Sequence, residues 1–567
     1  MGPSDSLPPD QSGSQSSAQN LLDRRTLLRG AAATGIVAPA AGALAGLTAL
    51  PTGAAPTLRQ TDPATLLIAM NGSPSDLDPH SVYDYRSAMP LRGPYEGLIA
   101  LEGSATDKYV PVIAESWEAN DDKSVWTFTI RPDVTFHDGT PVDAEAVRAS
   151  FERFLTMGLG PAGAMRRFIQ EPAQITAPDA STVVFDCGAP QPLLEAYLAS
   201  QYGPLILNVA AAKQNEVDGD WGHSWAQLNE EGMGTGPYRI VEFEPEQQLV
   251  LERFDDYWGG WEGNHFDRVI FRVISENETR RQLIEQGEVD IVDNLNPEAN
   301  EALAANPDLI IDRSYSAEVD YLILTVAGAL ATPEARQAMC WAFPYDEVIE
   351  GVFRGYGKRA IGGVSELVAG FDPETFQYTT DLEKARELLA VAGVTEGTEI
   401  VLTMETGYED VKSAVQLFQQ NLSQIGINLS IEEVDLSTFT AIMFGEMEAE
   451  ERPNMMPWFW WPDYNDAYNH LYAQIGCDQW GPAGTNGGFY CNERVQELFE
   501  ANRDEPDPTK YAAALSEIQQ IISRDDPPAI YYMQRQWTTV LRNDIEGFVF
   551  NPINIGTFNF YTMSRVT

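Results

Sequence analysis

From Trp126 to Ile130 large or β-branched residues alternate with threonines, the period-two pattern of a half-buried strand. His137-Asp138-Gly139-Thr140-Pro141 follows, and Asp-Gly beside a proline makes a tight turn. The period then changes. Asp143 is placed to cap a helix whose Val147, Phe151 and Phe154 fall at i, i+4 and i+7 on one apolar face. The same reading predicts strands over 65–71, 238–243, 248–253, 266–274, 321–325, 399–405 and 428–434, and helices over 278–285, 381–393 and 414–426. Phe343-Pro344 reads as a helix stop. Strands and helices alternate through the C-terminal half, which is the pattern of an α/β protein.

The 567 residues exceed one ordinary domain, and 44% hydrophobic content supports real cores. Acidic residues number 84 against 36 basic ones, a formal charge of -48, which excludes a nucleic-acid partner. Lys is scarce beside Arg, which fits a saline or hot habitat. The five histidines are scattered and the four cysteines lack metal-type spacing, so no metal and no cofactor is expected. Cys477 and Cys491 flank a Gly-rich loop that can fold back on itself; a disulfide there is expected to add about 3 kcal/mol. Cys187 and Cys340 sit in apolar surroundings and read as buried thiols.

Residues 1–23 lack periodicity and are rich in Ser, Gln and Pro. Arg24 and Arg25 then lead into an Ala/Gly-rich apolar run ending near Thr52-Gly53-Ala54, which reads as a twin-arginine export signal over 1–54. A retained anchor is the alternative, although the run is only weakly apolar. The protein is expected outside the cytoplasm, meeting the membrane only through a permease or an uncleaved signal.

Ala114-Glu115-Ser116-Trp117-Glu118, Trp126-Thr127-Phe128 and Phe136-His137-Asp138-Gly139-Thr140-Pro141 together resemble the signature of the family 5 solute-binding proteins of ABC importers. Leu77-Asp78-Pro79-His80, Tyr95-Glu96-Gly97-Leu98 and Gly234-Thr235-Gly236-Pro237-Tyr238 are similar to that family too. The glycines of the last motif turn the chain; a phosphate loop would need a Lys and another spacing. His137 is expected to serve its turn. The resemblance implies a two-lobed periplasmic-binding-protein fold, class II and of the large type, with mixed sheets flanked by helices. It implies one lobe from 65–105, 233–325 and 540–567, an extra domain inserted at 106–232, and a second lobe from 326–539. It further implies a monomer that closes on a solute and delivers it to permease subunits without chemistry.

Pro457-Trp458-Phe459-Trp460-Trp461-Pro462-Asp463 is the richest aromatic run, with more tryptophan than a plain half-buried strand would carry. In peptide-binding members of the family a Trp stands here with an Asp three residues later, and that Asp binds the peptide's α-amino group. Trp460 and Asp463 match. The candidate ligand contacts are therefore Asp463, Trp458, Trp460 and Trp461, with Ser73 and Pro74 after the first strand. Some relatives place an Arg just upstream for the ligand carboxylate; this chain has Met455, Met456 and Pro457 instead. Peptides are the expected ligand. Oligosaccharides are the alternative, because indole faces stack on pyranose rings, and nickel chelates come last. A carboxylate-dependent hydrolase using Asp463 and Asp466 is a remote alternative, lacking a nucleophile-base-oxyanion set.

Overall fold

The computed structural model describes residues 64–228, 233–481 and 484–566. The chain divides into a first unit, Met1–Thr57, and a second, Leu58–Thr567. Arg24, Arg25 and the expected export segment lie outside the described residues.

The main sheet of the second unit contains, in chain order, β1 (Thr65–Met70), β2 (Tyr238–Glu244), β3 (Gln248–Arg253), β4 (Arg268–Val273), β5 (Ile291–Asp293), β6 (Leu309–Leu324), β7 (Thr398–Glu405), β8 (Ile427–Val434), β9 (Met455–Trp460) and β10 (Ala529–Arg542). Across the sheet the order is β8-β7-β9-β6-β10-β5-β1-β4-β3-β2, with Gly357–Arg359 added beside β10. β1 runs parallel to both β4 and β5, and β7 parallel to both β8 and β9, while β6 and β10 are antiparallel to each other. All six residues of β1 are buried, as expected of a central strand with parallel neighbours on both sides.

β6 and β10 extend through both halves of the sheet. The first half of β6, Leu309–Tyr315, pairs with Arg542–Gln536, and β5 lies on the other edge of that part of β10. The second half, Val319–Leu324, pairs with β9 on one side and β10 on the other. Between them the register slips at Ser316–Glu318, opposite Gln534–Gln536, and Gln534 Nε2 donates to the Ser316 carbonyl across the slip. The sequence pattern recovers only the end of this strand, 321–325. Its first half carries Asp312, Arg313 and Ser314 and looks like a loop; pairing with β10 makes it a strand.

Residues 114–186 form a separate four-stranded antiparallel sheet with its own core of Phe128, Phe151, Phe154 and Phe185. Chain order there begins after α1 (Tyr85–Leu91), capped by Asp84, and includes α2 (Ala144–Met157). Asp143 Oδ1 accepts from Ala146 N at 2.8 Å, and Gly158 ends the helix at φ +63°. His137 Nε2 donates to the Gly236 carbonyl at 2.9 Å while its ring packs on Phe254, and burial lowers its pKa to about 4. The turn is thereby tied to Gly234-Thr235-Gly236, where a Cβ on Gly234 would stand 1.8 Å from the Pro94 carbonyl oxygen. Those glycines serve a close backbone approach. Cys477 and Cys491 form a disulfide with Cα atoms 4.7 Å apart, and Cys187 and Cys340 are free and buried. Among the described residues no helix is long and apolar enough to cross a membrane.

Candidate functional site

The aromatic run is a strand after all. β9 ladders along its length with β6, from Leu324↔Met455 to Val319↔Trp460. On its other edge it meets β7 at Leu402↔Met455 alone, so among the described residues Pro457–Trp460 have no strand partner on that side. Aromatic residues suit a strand, and these stack in a row: Trp458 on Phe439 and Phe459, and Phe459 on Trp461. Buried Nε1 atoms of Trp458 and Trp460 have no acceptor among the described residues.

The chain leaves β9 through Trp461 and Pro462, and Asp466 caps α3 (Ala467–Ile475). Asn469, in the first turn of α3, holds Asp463 at two points. Its Oδ1 accepts from Asp463 N at 2.7 Å, and its Nδ2 donates to Asp463 Oδ2 at 3.0 Å. Tyr83 OH donates to Asp463 Oδ1 at 2.6 Å. The residue is 6% exposed. Burial pushes its pKa up, and the bonds from Tyr83 and Asn469 partly offset this. Among the described residues no cation pairs with it. Arg452, the nearest upstream in sequence, is spent on the carbonyls of Met443, Gly445 and Gly487.

Asp466, three residues on, differs. It accepts from Tyr511 OH at 2.9 Å, stands 3.8 Å from the Arg167 guanidinium, and accepts from Asn469 N at the helix cap. Its charge is met by the protein. The two acids are thus one structural carboxylate and one whose counter-charge is missing, a poor match to a hydrolytic pair.

Tyr83 packs edge-on against Tyr202, and Tyr85, in α1, against Trp537, which clusters with Trp461. Asp463, Tyr83 and Trp461 thus gather at one site beside the start of α1. No described contact brings Ser73 or Pro74 to it: Ser73 Oγ accepts from Glu246 N and so holds the turn between β2 and β3. Sequence reasoning missed Tyr83 and Asn469. Asn469 had a faint signal, one turn into a capped helix; Tyr83 had none.

At the slip in β6 lies a second buried charge group. Arg535 stands 2.7 Å from Asp320, 3.1 Å from Glu318 and 3.8 Å from Asp410. Three carboxylates share one guanidinium, and Glu318 is raised to about 8 by burial first and the Asp320 charge second.

A long mixed sheet whose two halves share β6 and β10 is that of the two-lobed periplasmic-binding-protein fold. Residues 108–482 match the model of the bacterial extracellular solute-binding proteins, family 5. The chain belongs to this family, and is a solute-binding component of an ABC importer. It is 30% identical over 507 residues to the probable D,D-dipeptide-binding periplasmic protein DdpA of Escherichia coli (strain K12), covering 88% of this chain and 94% of that one. Among solved structures it resembles the periplasmic binding protein DppA from Helicobacter pylori in complex with peptide STSA. There the TM-score is 0.76 and the identity 24%, over 89% of this chain and 98% of that one. It also resembles a dipeptide binding protein from Pseudoalteromonas in complex with Met-Leu, with TM-score 0.77 and 19% identity over 88% and 100% of the two chains.

Proposed function

We propose that the protein captures short peptides and that Asp463 binds their α-amino group. One observation carries this reading: a carboxylate on a residue 6% exposed, held by two neutral donors, with no cation among the described residues to meet it. Such a charge is costly unless a ligand ammonium neutralises it. The free edge of β9 offers backbone groups to an extended peptide, and backbone pairing accepts many side chains. The relatives named for dipeptides point the same way. The oligosaccharide reading is weaker, because Trp458 already stacks against Phe439 and Phe459.

The lobes read from the sequence, 65–105, 233–325 and 540–567 with the domain of 106–232 in one and 326–539 in the other, need one change: 319–324 pairs with β9 and with the first part of β10 and goes with the second lobe, while 537–539 pairs with the first half of β6 and goes with the first. Their hinge is the slip at Ser316–Glu318 and Gln534–Gln536, where the two strands common to both halves change register. A monomer, exported by the twin-arginine segment, closes there and hands its ligand to permease subunits without chemistry. Calorimetry with dialanine and N-acetyl-dialanine tests the amine anchor: the free amine should bind far more tightly, and equal binding would refute it.

A further inference from the structure

Where the inserted stretch 106–232 meets the segment after β9, the two exchange side chains. Tyr464, next to Asp463, is 1% exposed and lies in the core of the inserted stretch, its ring edge-on to Phe168 and Tyr197 with centroids 5.5 and 5.9 Å apart. Arg167 reaches the opposite way. We propose that Arg167 and Tyr464 form a latch: Arg167 holds the inserted domain against the second lobe when the lobes close, and so sets how tightly a ligand at Asp463 is retained. The latch rests on the two-lobed, peptide-binding reading above and gives the inserted domain a part in it.

Arg167 follows the short helix Ala162–Met165. Its Nη1 donates to Tyr464 OH at 2.9 Å and its Nη2 to the Arg503 carbonyl at 2.9 Å. The guanidinium carbon lies 4.3 Å from the centre of the Tyr468 ring, in α3, and Nη1 stands 3.8 Å from Asp466 Oδ1. Tyr464, Arg503, Tyr468 and Asp466 of the second lobe thus receive one side chain of the inserted domain, 12% of which remains exposed. Two further bonds cross beside it. Gln191 Nε2 donates to Asp504 Oδ1 at 2.9 Å, and Asn465 Nδ2 to the Thr106 carbonyl at 3.0 Å.

Such a contact can be made and broken. Arg167 meets neutral acceptors with its planar fork and a ring with its face, and Asp466 keeps the Tyr511 hydroxyl and the Asn469 amide when the guanidinium leaves. Parting the surfaces readmits water, so neither side is left as a buried, unpaired charge. Among the described residues every other buried member of the inserted domain's core lies within 98–206, so Tyr464 is its single buried member from the second lobe. Position ties the latch to the ligand. Asn469 Oδ1, which accepts from Asp463 N at 2.7 Å, lies 3.5 Å from Tyr464 N. The turn that sets Asp463 against Tyr83 therefore also aims Tyr464 into the inserted domain, and a ligand ammonium at Asp463 favours the same conformation as the latch.

Arg167→Gln removes the charge and shortens the reach. By X-ray scattering the ligand-free variant should have a larger radius of gyration than the unaltered protein, with unchanged circular dichroism. Its dialanine affinity, read by calorimetry, should fall about tenfold because the closed form becomes rarer, while the preference for a free amine over N-acetyl-dialanine persists. Tyr464→Phe, which removes only the hydroxyl, should move both readouts in the same direction, and combining the two should add little to Arg167→Gln. Equal radii in the ligand-free proteins, or an unchanged dialanine affinity, would make Arg167 a static packing contact and overturn the latch while leaving the peptide reading standing. If the radii differ as expected and dialanine does not bind the unaltered protein, the peptide reading falls and the latch stands.

Discussion

Tyr83 and Asp463, 380 residues apart in the chain, share a hydrogen bond of 2.6 Å from the phenol to the carboxylate. The bond joins the stretch before α1 to the stretch after β9. Its acceptor carries a charge for which no described residue supplies a cation.

Replacing Asp463 with Asn keeps the shape and removes the charge. Dialanine affinity should fall about ten- to a hundredfold, or roughly 1.5–3 kcal/mol. N-acetylation should cost a similar amount on the unaltered protein and little more on Asp463→Asn, because both changes remove the same pair. Burial raises the carboxyl's pKa, so binding should weaken on acidification sooner than an ordinary aspartate would allow. Calorimetry across pH reads both effects.

Closure should be visible by X-ray scattering. β6 and β10 change register twice within a few residues, between Tyr315 and Val319 and between Asp320 and Tyr321, which concentrates bending there. Saturating dialanine should shrink the radius of gyration while circular dichroism stays unchanged. Identical scattering with and without ligand would contradict a hinge.

Glu318 should make stability fall as pH rises from mild acid to about 8. Its folded pKa, about 8, lies above the ordinary carboxyl value because burial and Asp320 favour the protonated form. The stabilisation is fully present below the unfolded pKa and is lost as pH rises through about 8. The melting temperature of the unaltered protein should drop between about pH 5 and 8 more than that of Glu318→Gln, which cannot ionise, and the two profiles should run parallel above that. Profiles parallel throughout would refute this.

Reducing the Cys477–Cys491 disulfide should destabilise the protein by about 3 kcal/mol, the chain-entropy value for a loop of this size. Asn486, inside the loop, donates to the carbonyls of Gly476 and Tyr490, so part of the loop's shape should survive reduction. Cys477→Ser with Cys491→Ser should melt lower than the oxidised protein and respond no further to reductant.

Added salt should stabilise. A formal charge of -48 makes the folded chain repel itself, and screening relieves that. The melting temperature should rise with sodium chloride from low ionic strength. A flat response would show that the surface carboxylates are too well spaced to interact.

Local chemistry determined much of this protein. Period-two and period-3.6 patterns marked the strand before His137 and the helix after Asp143, because burial on one face repeats with the geometry of the element itself. Asp381 and Gly393 bracketed their helix because caps act within a turn. The motifs around Trp117, Trp126 and His137 were enough to recognise the family. Tertiary structure decided the rest. The first half of β6 became a strand only because β10 lies beside it, and Trp458 of β9 found its stacking partner Phe439 in another element. The resemblance gave the amine-anchor role to Asp463 alone, and Asp466 entered only as its partner in the hydrolase alternative. Arg167, some 300 positions away, neutralises one of them, and no described residue neutralises the other; charge compensation depends on distance in space, which the order of residues does not record.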